Sequence, residues 1–179
     1  MSQTQKQWIQ QAMEQFEGKL VRYAGGLVND LDQARDLVQE AFLRLLKSDQ
    51  SQVDPYLAPW LFRVVRNLAL DTKRKEAHMQ SLYNEAALDM QPSAEPTPET
   101  TLANQDMTAQ IINRLKHLPP NQREVIRLKF QCDMSYREIS EVTSLSVSNV
   151  GFLIHTGLKN LRQSLAPGVQ SASGRGGVS

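Results

Sequence analysis

Apolar residues in the first part of the chain recur at steps of three and four. Trp8, Ile9, Ala12, Met13, Phe16, Leu20, Ala24 and Leu27 fall on one side of a helix drawn from Gln5 to Leu27, the spacing that aligns side chains on a single core-facing stripe. Asn29-Asp30 interrupts the run, and Ala34, Leu37, Val38, Ala41, Phe42 and Leu45 begin a second. The polar stretch from Ser48 to Pro59 predicts a loop. Trp60, Leu61, Val64, Val65 and Leu68 then predict a third helix, which changes from apolar to basic through Asp71-Thr72-Lys73-Arg74-Lys75. Three such helices can share one core.

Between Met79 and Met107 the texture changes. Pro92, Pro96 and Pro98 fall close together, and Glu85, Asp89, Glu95, Glu99 and Asp106 stand without a Lys or Arg among them. This predicts an acidic, partly extended linker. Beyond it, Ile111, Ile112, Leu115 and Leu118 predict a short amphipathic helix stopped by Pro119-Pro120. Asn121 with Glu124 and Ser135 with Glu138 fit capping boxes, and Ser146 fits an N-cap. From Ser135 to Val142 the pattern predicts about two turns with Tyr136, Ile139 and Val142 inward. Thr143-Ser144-Leu145 turns the chain, and a longer helix carries Val147, Val150, Ile154, Leu158, Leu161 and Leu165 on its inner stripe. Short helix, tight turn and second helix make a helix-turn-helix arrangement. A three-helix packing module with a solvated polar face fits this pattern equally well. The tail from Pro167 to Ser179 lacks apolar residues to pack and is predicted to be disordered.

The fold class predicted is therefore all-α: two small helical domains, 5–78 and 108–166, joined by a flexible acidic linker, 79–107, and followed by a tail, 167–179. Charge narrows what such a chain can do. Lys+Arg 20 against Asp+Glu 19 leaves a formal net charge of +1, which argues against a protein that grips DNA alone through a strongly basic face. Basic chemistry must be local. The single Cys132 excludes an internal disulfide framework and fits a packed core residue. No apolar run approaches the roughly eighteen residues of a membrane span, and Trp8 and Ile9 lie among glutamines without a signal-peptide core, so a cytoplasmic protein with no membrane insertion is expected. His78, His117 and His155 are isolated, no Gly-rich phosphate loop or nucleophile elbow occurs, and neither enzyme chemistry nor a metal or cofactor is expected.

Local basic chemistry does occur. Arg63, Arg66, Asn67, Asp71 and Arg74 recur along one helical face, a stripe able to follow a nucleic-acid backbone. Tyr56, Trp60 and Phe62 adjoin it; Tyr56 suits stacking on an unpaired base, whereas Trp60 sits in the apolar stripe and is expected in the core. In the last helix, Ser148, Asn149, Phe152, His155, Thr156 and Lys159 lie opposite the inner stripe. Asn149 suits adenine, Phe152 a thymine methyl, and Arg137, Lys159 and Arg162 suit phosphates. On the second helix, Asp36, Gln39, Glu40, Leu43 and Lys47 face away from the core beside Leu46, as a docking surface would.

Four strings carry a resemblance. Asp36-Leu37-Val38-Gln39-Glu40-Ala41-Phe42-Leu43-Arg44, Trp60 through Asp71, Leu118-Pro119-Pro120-Asn121-Gln122-Arg123-Glu124-Val125 and Met134-Ser135-Tyr136-Arg137-Glu138-Ile139-Ser140 resemble, in order, segments of the extracytoplasmic-function group of sigma factors in the sigma-70 family. The resemblance implies a protein that binds core RNA polymerase, directs it to promoters and helps melt DNA. Asp36, Gln39, Glu40 and Leu43 would bind the beta-prime clamp of core polymerase, whose beta flap is a further implied contact. Asn67, Asp71 and Arg74, with Arg63 and Arg66 on the same stripe, would face the minus-ten element, and Tyr56 would help hold an extruded base. Arg137, Ser148, Asn149, Phe152, His155, Lys159 and Arg162 would face the minus-thirty-five element, and an anti-sigma protein is a further candidate partner. Where many relatives carry basic residues in the recognition helix, this chain has Gly151, Leu153 and Thr156, which predicts poor affinity for isolated promoter DNA. A free-standing helix-turn-helix regulator and a helical adaptor that does not bind DNA are the rival readings.

Overall fold

The computed structural model describes residues 3–86 and 107–166, and every regular element among them is helical. Helix α1 (Gln3–Val28) buries Trp8, Ala12, Phe16, Leu20, Tyr23 and Ala24. Met13, expected on that face, lies beside it and is 39% exposed. Asn29 stops the helix in the left-handed region at φ 58°. Asp30 then caps α2 (Leu31–Leu46), its side chain accepting from the Gln33 N–H at 2.9 Å, which satisfies one of the otherwise unpaired amides of the first turn.

The polar stretch expected as a loop holds a short α3 (Gln50–Val53) and a 3₁₀ turn (Asp54–Tyr56). Asp49 caps the first, and Asp54 accepts from the indole Nε1 of Trp8 at 2.8 Å, so polar residues here tie the connection to α1. Helix α4 (Leu57–Ala86) starts before Trp60, with Pro59 in its first turn, where no intrahelical donor is required. It also continues through Met79 to Ala86, into the stretch expected as linker. No Gly or Pro interrupts 71–86, and Lys, Glu, Gln and Ala there favour helix even without a core to pack on. The rest of the expected linker and the expected disordered tail lie outside the described residues.

Helices α5 (Met107–Leu115), α6 (Pro120–Phe130), α7 (Tyr136–Thr143) and α8 (Val147–Leu165) form the second group. The capping box expected at Asn121 and Glu124 is not formed. Helix α6 opens two residues earlier, with Pro119 at the N-cap; Asn121 Oδ1 accepts only from the adjacent Gln122 N–H at 2.9 Å, and Glu124 is engaged elsewhere. Ser135 and Glu138 do close a capping box: Ser135 Oγ accepts from the Glu138 N–H at 3.2 Å and the Glu138 carboxylate from the Ser135 N–H at 2.7 Å. Ser146 caps α8, accepting from the Asn149 N–H at 3.1 Å. The intervening turn works without glycine because Ser144 takes the left-handed conformation, φ 62°.

Helix α8 buries Val150, Leu153, Ile154, Gly157 and Leu161. Val147 and Leu165, expected on this stripe, are 48% and 40% exposed; they stand at the two ends of the helix, where no facing element covers them. Tyr136, expected inward, is also exposed and lies under the Lys129 ammonium, 5.4 Å from the ring centroid. Gly157 is what lets α6 and α8 approach, since a Cβ there would come within 2.6 Å of Ile126 Cδ1.

One apolar cluster runs through both groups, from Leu20, Val38, Leu45, Leu61 and Val65 to Val125, Leu128, Ile139 and Val150. Phe62, expected beside the basic stripe, belongs to this core, tilted on Tyr23 at 5.4 Å. Trp60 is half-buried against it. Cys132 is buried, and burial pushes its thiol up to about 11, so it stays protonated at neutral pH. Among the described residues no helix is long and apolar enough to cross a membrane.

Candidate nucleic-acid interface

The outward face of α4 displays Arg63, Asn67, Asp71 and Arg74 to solvent, one above another at helical spacing. Arg74 Nη1 and Asp71 Oδ1 pair at 3.2 Å with side chains 76% and 59% exposed, a contact weak enough in water for either partner to exchange it. Tyr56, at the 3₁₀ turn that leads into this helix, is 41% exposed. These groups lie on one surface.

Arg66 does not share it. Its side chain turns into the seam between the two helical groups, where Nε donates to Glu124 Oε1 at 2.7 Å and Nη2 to Oε2 at 3.3 Å. The Tyr23 hydroxyl donates to the same Oε1 at 2.7 Å. Burial alone would lower the Arg66 pKa, but the hydrogen bond and charge of Glu124 outweigh it and the guanidinium is raised. Tyr23 is pushed well above its ordinary value, first by burial and then by the Glu124 carboxylate. Arg66, placed by the sequence pattern with the DNA-facing residues, is thus occupied in this arrangement, and Lys19 adds a second tie to Asp133 at 3.1 Å. Helix α7 also packs against α4.

Single-residue patterns missed this seam because its members act across 58 and 101 positions of chain. The one trace in the sequence is that Tyr23 falls three residues after Leu20 on the buried face of α1, where a hydroxyl needs a partner.

On α8, Ser148, Asn149, Phe152, His155, Lys159 and Arg162 are all exposed, as is Arg137 on α7. Phe152, 65% exposed, is an aromatic ring in water on the face that the turn presents outward. Leu153 is buried and Thr156 half-buried, so the shortage of cations on this face rests on the exposed positions alone. On α2, Asp36, Gln39, Leu43 and Lys47 are exposed, and Glu40 is held by Arg44 at 3.0 Å. Leu43 is 51% exposed.

The described helices thus form two groups, one with a polar and basic helix face and one with a capped helix-turn-helix. Residues 12–79 match the family "Sigma-70 region 2" and residues 108–161 match "Sigma-70, region 4", so the chain belongs to the sigma-70 family. It resembles the extracytoplasmic-function members in particular. It is 30% identical over 157 residues to the ECF RNA polymerase sigma factor SigE of Mycolicibacterium smegmatis, covering 86% of this chain but 60% of that one. With SigW of Bacillus subtilis it shares 28% identity, covering 84% of each. In fold it is similar to the sigma factor RpoE of Bartonella quintana in complex with the anti-sigma factor NepR, with a TM-score of 0.60, 19% identity and coverage of 89% of this chain and 95% of that one.

Proposed function

We propose that this chain binds core RNA polymerase, directs it to promoters and promotes DNA melting, acting as a cytoplasmic, non-catalytic subunit without a cofactor. The observation that carries this reading is the pair of sigma-70 matches, region 2 followed by region 4, over helices whose outward faces bear the groups the task requires. Asp36, Gln39, Glu40 and Leu43 dock on the polymerase clamp. Arg63, Asn67, Asp71 and Arg74, with Tyr56 at their head, meet the minus-ten element; Arg66 joins them once Glu124 lets it go. Arg137, Ser148, Asn149, Phe152, His155, Lys159 and Arg162 face the minus-thirty-five element.

The seam then has a role. With Arg66 bonded to Glu124 and α7 against α4, the two DNA-facing surfaces cannot separate to reach elements many base pairs apart, so docking on polymerase must open it. Partner binding energy supplies that opening, which also suits a near-neutral chain with weak affinity of its own for DNA. An anti-sigma protein is a further partner under this reading, in keeping with the complex formed by the similar RpoE.

Asn67→Ala and Arg74→Ala separate the proposed roles. Each is expected to slow promoter opening at least several-fold, read by permanganate reactivity of the melted strand, while retention of the chain on immobilised core polymerase stays unchanged. Loss of polymerase retention in either variant would show that the division of surfaces is wrong.

A further inference from the structure

A cavity of about 240 Å³ opens in the seam, sharing Glu124 with the Arg66–Glu124 pair. It is smaller than the pockets that hold drug-sized ligands. Gly26 of α1, Lys73 of α4 and Arg123, Glu124 and Arg127 of α6 line it. Three cations therefore meet one carboxylate there, and both oxygens of that carboxylate are already taken by Arg66, one of them also by Tyr23. No ion pair joins Lys73, Arg123 or Arg127 to a carboxylate among the described residues.

The two arginines are poorly compensated in a specific way. Arg123 Nη2 donates to the Leu118 carbonyl at 3.0 Å, but its Nε is buried with no hydrogen-bond partner, an arrangement rare enough in proteins to call for an explanation. Arg127 is lowered first by burial and then by the positive charge of Arg123. Its guanidinium lies over Gly26, where an added Cβ would come within 1.8 Å of Nη1, so the absence of a side chain on α1 is what seats it. The cavity also adjoins the start of α6, where Pro119 at the N-cap supplies no side-chain acceptor and Asn121 Oδ1 accepts from the Gln122 N–H at 2.9 Å, so the positive end of the helix dipole adds to the field of the three cations.

We infer that this cavity is a binding site for a small phosphate-bearing anion, held by Arg123, Arg127 and Lys73 and bridging the two helical groups. Guanidinium forks match phosphate oxygens, and an anion there relieves the Arg123–Arg127 repulsion and gives the stranded Nε an acceptor. Because the lining comes from α1, α4 and α6, the anion favours the closed arrangement over the open one. This holds whether or not the chain reads promoters.

Isothermal titration of the full chain with inorganic phosphate, pyrophosphate and ATP, at constant ionic strength in chloride, tests it. Saturable one-to-one binding is expected, with a rise in the thermal midpoint, and Arg127→Gln should weaken it at least tenfold. Gly26→Ala should do the same, because its methyl displaces only the mobile end of Arg127 while alanine favours the α1 helix; it serves where Arg127→Gln folds poorly. Lys6→Gln, remote and exposed, should change nothing. Pyrophosphate and ATP binding more tightly than phosphate would assign a diphosphate-bearing ligand, and equal affinities a monophosphate. Non-saturable heats that are the same in Arg127→Gln overturn the proposal. So does binding that is absent from the parent and emerges only when Asp89, Glu95, Glu99 and Asp106 are changed to amides, because the chain's own acids would then be the occupant.

Discussion

Replacing Glu124 with alanine is expected to separate the two helical groups and to strengthen association with core polymerase. The Arg66 and Glu124 side chains are 22% and 13% exposed, so their pair is only partly screened by water. Removing one partner of such a pair strands a charge, at a cost of about 3–5 kcal/mol when it stays buried. Here the chain has an exit, because parting at the seam returns Arg66 and the Tyr23 hydroxyl to solvent. The cost therefore falls on the docked state rather than on either group's own fold. Each 1.4 kcal/mol is a factor of about ten in that equilibrium, so a shift of at least roughly a hundredfold toward the open form is expected. Small-angle scattering should show a larger radius of gyration, and polymerase should be bound at lower concentrations than by the parent. Glu124→Gln, which keeps an acceptor but loses the charge, should fall between the two. An unchanged radius together with unchanged polymerase affinity would mean that this contact does not hold the groups together.

The second large effect separates folding from docking at two neighbouring leucines of α2. Leu45 is fully buried and Leu43 is 51% exposed, because a helix turns about 100° per residue and carries positions two apart to different faces. Leu45→Ala should leave a cavity in the core cluster to which Val38, Phe42 and Leu61 also belong and cost about 2–5 kcal/mol, read as a lower urea midpoint with the same slope. Leu43→Ala should leave that midpoint within roughly 0.5 kcal/mol and instead reduce retention on core polymerase. The reverse outcome, with Leu43 governing stability, would place the polymerase-facing side of α2 in the core.

Local structure was readable wherever a short-range interaction decides it. Ser135 with Glu138, and Ser146, act within three residues of themselves, and each caps the helix that its position announced; Asp30, read only as a break between two runs, caps α2 in the same way. Asn121 and Glu124 had the same spacing and formed no box, because Glu124 is drawn to Tyr23 and Arg66 in the other helical group. A pattern confined to neighbours cannot register a competitor so far along the chain. Periodicity likewise found the buried stripes but overreached at Val147, Tyr136 and Leu165, where the helix is regular and its neighbours run out. The long extension of α4 was read as linker because acidic, proline-containing composition follows it; helix propensity carries the helix to Ala86 before the prolines begin.

The family was legible for a different reason. Four strings in a fixed order identified it without the fold, and the matches over 12–79 and 108–161 agree with them. Helical phase, not those strings alone, placed the candidate residues outward, and most of those named on α2, α4 and α8 are exposed. Arg66 is the exception. Its helical phase matches its neighbours, yet only the docked second group shows that it is already engaged.

In vitro transcription by core RNA polymerase with the purified chain, on a library of promoter fragments, tests the central claim most directly. The chain should co-purify with core enzyme and yield transcripts starting at defined sites that core enzyme alone does not use. A chain that neither associates with core enzyme nor changes where its transcripts begin would contradict it.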